Sequence, residues 1–192
     1  MSQPAVLAFS GSLRAGSYNK KMVRIAARAA EAAGADVKVL DLDTLSLPIF
    51  NEDTEAQGTP DNALKLRGMM LDADGFLIAS PEYNSSVSAA LKNAIDWASR
   101  PCARNPSGLA AYAGKSATIM SASPGNLGGL RGLVHLRAIL GNLQMIVLPE
   151  QFALSSAGDA FDERGELTDE KAAARVEGLG RGLAECLIQQ LK

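Results

Sequence analysis

The segment Gly11-Ser12-Leu13-Arg14-Ala15-Gly16-Ser17-Tyr18-Asn19 gathers hydroxyl, amide and guanidinium donors between two glycines. Ser12, Ser17 and Asn19 can donate from their side chains, and Arg14 offers a planar cationic fork suited to phosphate. Gly11 and Gly16 let the backbone turn tightly and come close to a ligand. An apolar run at residues 5–9 precedes this loop, and an alanine-rich stretch with helical spacing follows it. The loop therefore sits at a strand-to-helix turn, where unpaired N–H groups and a helix dipole favour an anion. The chemistry this predicts is phosphate binding. The plainer alternative is that Ser17 caps the helix and the glycines only turn the chain.

Spacing excludes two other phosphate loops. Tyr18 and Asn19 stand where a Walker A loop needs Lys and Ser or Thr, so no NTPase is implied. The G-x-G-x-x-G dinucleotide pattern is absent too, although Asp41 and Asp43 lie near the place of a ribose-binding acid. A mononucleotide monophosphate is the simpler ligand. Two further polar stretches could complete its site. Pro81-Glu82-Tyr83-Asn84 brings a ring-sized side chain flanked by polar groups, and Ser123-Pro124-Gly125 lets backbone approach a ring edge. A phosphate at the first loop and a planar ring at the other two together describe FMN. Taken alone, residues 81–84 also read as an ordinary turn that caps a helix.

Regular elements must carry these loops. Apolar runs predict strands at residues 5–9, on Val37, Val39 and Leu40 closing at Asp41, and at residues 75–79, 117–120 and 145–148. Helical spacing predicts helices over residues 21–34, 61–71, 88–99 and 130–140, and a last one opened by Thr168-Asp169-Glu170. Residues 45–60 read as a covering loop and residues 103–114 as an exposed connection. Strands alternating with helices imply a doubly wound α/β sheet with helices on both faces, and five strands suggest the flavodoxin-like order 2-1-3-4-5. Ligands of such sheets sit beyond the carboxyl ends of the strands, where the loops after the first, third and fourth strands meet.

The 192 residues predict a single domain over 1–192, and the 47% apolar content is ordinary for a globular chain. A formal charge of -2 shows no basic surface for nucleic acid. No secretion signal precedes the first strand and no stretch reaches the ~18 apolar residues of a membrane span, so the expectation is a cytoplasmic protein without membrane or nucleic-acid partners. Cys102 and Cys186 match no metal, redox or disulfide spacing, and His135 is the one histidine, so no metal site is expected.

With these motifs in hand, the chain resembles the NADPH-dependent FMN reductase family, in particular its chromate, quinone and azo-dye reducing members. The resemblance rests on residues 11–19, on Pro81-Glu82-Tyr83-Asn84 followed by Leu91-Lys92-Asn93-Ala94-Ile95-Asp96-Trp97, and more weakly on Ser123-Pro124-Gly125 and Gly128-Gly129. It departs at Ser88, in the stretch where many relatives carry proline. By this resemblance Ser12, Arg14, Ser17 and Asn19 bind the FMN phosphate, with Ser10 and Tyr18 beside them. Pro81, Glu82, Tyr83 and Asn84 would line the flavin, and Ser123 and Gly125 would meet its ring. The resemblance also implies NADPH or NADH as co-substrate and hydride passage through FMN to a quinone, chromate, azo or similar small acceptor by a ping-pong mechanism. It implies as well a homodimer or homotetramer, and no catalytic side chain beyond the cofactor. Trp97 is read as helix packing or as an interface contact. A flavodoxin-type electron carrier is the alternative, though no strongly acidic docking face is evident; a nucleotide or redox-sensing module is a third reading.

Overall fold

The computed structural model describes residues 3–104 and 106–191. Five parallel strands form the central sheet: β1 (Ala5–Ser10), β2 (Asp36–Asp41), β3 (Gly75–Ala79), β6 (Ser116–Ala122) and β7 (Ile146–Leu154), in the order β2-β1-β3-β6-β7. Counted as the five strands of the sheet, this is the predicted flavodoxin-like order 2-1-3-4-5. Two short strands, β4 (Glu82–Tyr83) and β5 (Ser86–Val87), form a separate hairpin after β3.

Side chains alternate across the buried strands and so divide the core in two. Leu7, Phe9, Phe76, Ile78 and Ile119 pack with residues of α3 (Asp61–Asp72), α4 (Ala89–Ala98) and α5 (Leu130–Asn142). Val6, Ala8, Leu77, Met120 and Ala122 face the other way, against α1 (Tyr18–Ala32) and α6 (Glu170–Gln190). The two helices of this second layer lie so close that a Cβ placed on Gly180 would stand 1.9 Å from the Ala26 carbonyl oxygen. In the sheet, Ser10 pairs with Asp41 on one side and with Ala79 on the other. The carboxyl ends of these strands are thus level where the ligand loops begin.

Several boundaries differ from expectation for identifiable reasons. Helix α1 begins at Tyr18, before the predicted residue 21, because Ser17 caps it and accepts from the Lys20 amide at 3.4 Å. The fifth strand was expected to stop near Pro149, yet β7 continues to Leu154. A register irregularity against β6 absorbs the proline, and Arg137 donates to the Val147 and Leu148 carbonyls at 3.0 and 2.9 Å.

Residues 45–60 cover apolar surface as expected, but they include α2 (Glu52–Ala56) and are clasped to α4. Trp97 Nε1 and Asn93 Nδ2 both donate to the Pro48 carbonyl, at 2.8 and 2.9 Å, and the Phe50 ring meets Trp97 edge-on at 4.9 Å. Trp97 is fully buried inside the chain, so it is a packing residue and no interface contact. The connection at residues 103–114 is not exposed throughout, since Ala111 and Tyr112 are core residues. The Tyr112 hydroxyl is satisfied by donation to the Ile95 carbonyl at 3.2 Å, and burial pushes its pKa up.

Candidate flavin site

The loops after β1, β3 and β6 converge on one cleft of ≈ 250 Å³ at the carboxyl edge of the sheet. Nine of the residues singled out from sequence line it: Ser12, Arg14, Ser17, Tyr18, Asn19, Pro81, Glu82, Tyr83 and Ser123. The other three stand beside or behind its wall. Ser10 Oγ accepts from the Ser12 amide at 3.1 Å, the Gly125 amide donates to Ser123 Oγ at 3.2 Å, and Asn84 occupies the tip of the β4–β5 hairpin.

The first loop is polarised. Its carbonyls at Gly11, Leu13, Arg14 and Gly16 each accept a donor, from Ser88 Oγ, Lys20 Nζ, the Ser17 amide and Arg14 Nη2 respectively. The amides of Leu13, Arg14, Ala15, Gly16, Tyr18 and Asn19 have no acceptor among the described residues. A run of unpaired N–H groups with four of the neighbouring carbonyls occupied suits an anion. Ser12 and Ser17, both buried, bring hydroxyls to the same wall. Arg14 is exposed; its guanidinium bonds the Gly16 carbonyl at 2.8 Å and lies 5.0 Å from the centre of the Tyr18 ring. Tyr18 in turn stacks nearly parallel on Phe161 at 6.1 Å.

Asn19 acts differently from its expected role as a phosphate donor. It is 3% exposed, its Nδ2 donates to the Ala122 carbonyl at 2.8 Å, and its Oδ1 accepts from the Ala122 amide at 3.0 Å. Both side-chain atoms are thereby committed to the end of β6. Asn19 ties the first loop to the third.

The hairpin after β3 turns through Asn84 and Ser85, at φ 51° and 65°, the paired left-handed geometry of a type I′ turn. Without an Asn-Gly or Asp-Gly pair, sequence reasoning had no hairpin signal here. Glu82 anchors it to α5. Its carboxylate accepts from Arg131 Nε at 2.8 Å, from Arg131 Nη2 at 2.5 Å and from the Gly132 amide at 3.1 Å. Burial alone would raise the Glu82 pKa, but these hydrogen bonds and the Arg131 charge outweigh it and hold the carboxyl below its usual range. His135 adds a 2.9 Å contact from Nδ1 to Ser86 Oγ, so the lone histidine steadies the hairpin. Arg131 and Lys20 were missed as site-building residues because their partners, Glu82 and Asp41, are remote in sequence. Tyr83 remains 55% exposed at the rim.

The donor set fits FMN: the lining brings together the amides and guanidinium of the first loop and the apolar surfaces of Pro81, Tyr83, Ala122 and Pro124. The sequence pattern described as NADPH-dependent FMN reductase matches residues 4–159. The chain belongs to that family. As a family member it is an oxidoreductase that works with FMN and a reduced nicotinamide. This FMN reductase-family chain is 40% identical over 173 residues to an NAD(P)H-dependent FMN reductase of Pseudomonas aeruginosa, covering 90% of this chain and 89% of the relative. It is also 40% identical over 176 residues to an NADPH:quinone oxidoreductase of Arabidopsis thaliana, covering 89% and 85%. Among solved structures it is similar to the flavoenzyme NAD(P)H:(acceptor) oxidoreductase FerB of Paracoccus denitrificans. The TM-score is 0.81 at 29% identity, and the match covers 97% of this chain and 98% of that one. Among the described residues, no helix is long and apolar enough to cross a membrane.

Proposed function

We propose that this enzyme carries reducing equivalents from NADPH or NADH to a quinone, and to other small acceptors such as chromate or azo compounds, by a ping-pong mechanism. One observation carries the reading: three loops meet at a single cleft lined both by the donor groups of the first loop, which suit a phosphate, and by the apolar surfaces of Pro81, Tyr83 and Pro124, which suit a ring. FMN, when bound, supplies the hydride chemistry. The protein's part is to bind and orient. The amides of the first loop, Ser12, Ser17 and Arg14 hold the phosphate; the Pro81–Asn84 hairpin and the turn at Ser123 and Gly125 line the ring. Arg131 and Gly132 keep the hairpin in place through Glu82. Quinone-reducing relatives support the choice of acceptor.

Initial rates with NADPH and a benzoquinone should give parallel double-reciprocal lines, because a shared open face admits the two substrates in turn. Intersecting lines would mean that both occupy the cleft together and would overturn the ping-pong order. A protein that keeps its FMN yellow under anaerobic NADPH and NADH would be an electron carrier instead.

The reading includes one domain acting in the cytoplasm as a homodimer or homotetramer. Leu127, Leu130 and Val134 leave an apolar stripe beside the cleft, with Val134 59% exposed, and they replace Trp97 as the candidate contact. Sedimentation at micromolar concentration should give a mass of two or four chains; a single-chain mass would remove the assembly.

A further inference from the structure

Ser88 and Lys20 lie outside the cleft wall, yet each holds a carbonyl of the loop that forms it. Ser88 is 1% exposed, and its hydroxyl donates to the Gly11 carbonyl at 2.6 Å while accepting from the Leu91 amide at 3.1 Å. One side chain thus caps α4 and grips the phosphate loop. Gly11 is held from its other side too, since its amide donates to the Ala79 carbonyl at 2.9 Å. There is no slack for a larger residue: a Cβ on Gly11 would lie 2.8 Å from Leu91 Cβ.

A trans peptide is planar, so its C=O and the following N–H point in opposite directions. Holding the Gly11 oxygen on Ser88 therefore sends the Ser12 N–H the other way, where Ser10 Oγ accepts it at 3.1 Å. That peptide is pinned from both sides, and Ser12 is delivered to the cleft wall in a fixed attitude. Lys20 does the same two residues on. Its ammonium pairs with Asp41 at 2.8 Å and reaches the Leu13 carbonyl at 3.4 Å, so the Arg14 amide, which has no protein acceptor among the described residues, is turned from Lys20 toward the ligand side. The Lys20 side chain is 9% exposed, and the pair joins the end of β2 to the loop after β1. Burial would raise the Asp41 pKa, but the Lys20 bond, the Asp43 amide and the charges of Lys20 and Arg24 bring it below the ordinary value, so Asp41 stays ionised at neutral pH.

We propose that Ser88 and Lys20 are positioning residues that set the selectivity for a phosphorylated flavin by holding two loop carbonyls away from the anion. Either carbonyl oxygen, free to rotate toward a phosphate, would repel it; rotation at Gly11 would also release Ser12 from its fixed attitude, and rotation at Leu13 would withdraw the Arg14 N–H. The proposal rests on the first loop being the phosphate site.

Its test compares FMN with riboflavin, which lacks the phosphate, by quenching of flavin fluorescence on the full chain stripped of flavin. Ser88→Ala and Lys20→Met should each lower the preference for FMN about five- to tenfold, within the usual range for one hydrogen bond, with riboflavin affinity nearly unchanged. Ser88→Thr, which keeps the hydroxyl, should restore the preference. Removing the α4 cap also weakens the fold, but a stability loss alone weakens both flavins alike. Equal losses for FMN and riboflavin, or an intact preference in Ser88→Ala, would overturn the proposal. If Lys20→Met folds poorly because Asp41 is left unpaired, Lys20→Met with Asp41→Asn reads the same ratio without the stranded carboxylate. A parent protein with no preference for FMN would reject the phosphate loop itself, a result distinct from failure of the positioning variants.

Discussion

Arg14→Ala should weaken FMN binding by one to two orders of magnitude and leave riboflavin binding almost unchanged. A charge-assisted hydrogen bond is worth roughly 1.5–3 kcal/mol, and Arg14 is exposed, so screening brings the effect toward the lower end in salt. One of its N–H groups is taken by the Gly16 carbonyl and its face rests on Tyr18, which leaves the remaining edge of the fork for a phosphate oxygen. Arg14→Lys keeps the charge without the fork and should fall between parent and alanine. The thermal midpoint of the flavin-free protein should move little, because the contact with Tyr18 is worth only about 0.5–1 kcal/mol at an exposed site. Raising ionic strength should narrow the gap between parent and variant. Equal losses for FMN and riboflavin would take the phosphate away from Arg14.

Gly180→Ala should cost about 3 kcal/mol or more of stability, a severe effect for one methyl group on a helix. The added Cβ would meet the Ala26 backbone, at 1.9 Å from the oxygen and 2.7 Å from the carbonyl carbon, and neither can rotate away. Helices α1 and α6 would have to separate, loosening the layer that holds Met22, Val176 and Leu183. A loss of this size lowers the melting temperature by roughly 6–12 °C in a chain of this length. Gly178 provides the control, since a Cβ there meets nothing within 4 Å. Gly178→Ala should stabilise the protein by about 0.5–1 kcal/mol through helix propensity alone. Similar urea midpoints for the two variants would show that the contact of α1 with α6 yields easily.

Local chemistry made much of this molecule legible in advance. The first loop could be read because its glycines, serines and arginine lie within one turn, and the sheet order because strands and helices alternate along the chain. What escaped depends on partners far away. Asn19 carries the signature of a phosphate donor, but only the arrival of β6 shows that its side chain also bonds the Ala122 backbone. Trp97 looks like an interface anchor until residues 48–50 fold over it. The hairpin at Glu82–Val87 has no glycine to announce its turn, and it is held by Arg131, which sequence separates from Glu82 by 49 positions. Residues 111–112 sit among turns yet enter the core, because Tyr112 reaches the Ile95 carbonyl.

The bond between Asn19 and Ala122 also bears on how the protein is made. These residues are 103 positions apart, so a ribosome delivers the first loop long before the strand that braces it. Until β6 has emerged and paired with β3, the head of α1 lacks its strut to Ala122, although the partners of the Gly11 and Leu13 carbonyls, Ser88 and Lys20, are already present. A flavin cleft that includes Ala122 and Ser123 is complete only after more than half of the chain has been made. Scarcity of flavin should then leave a folded, colourless protein rather than an arrested one.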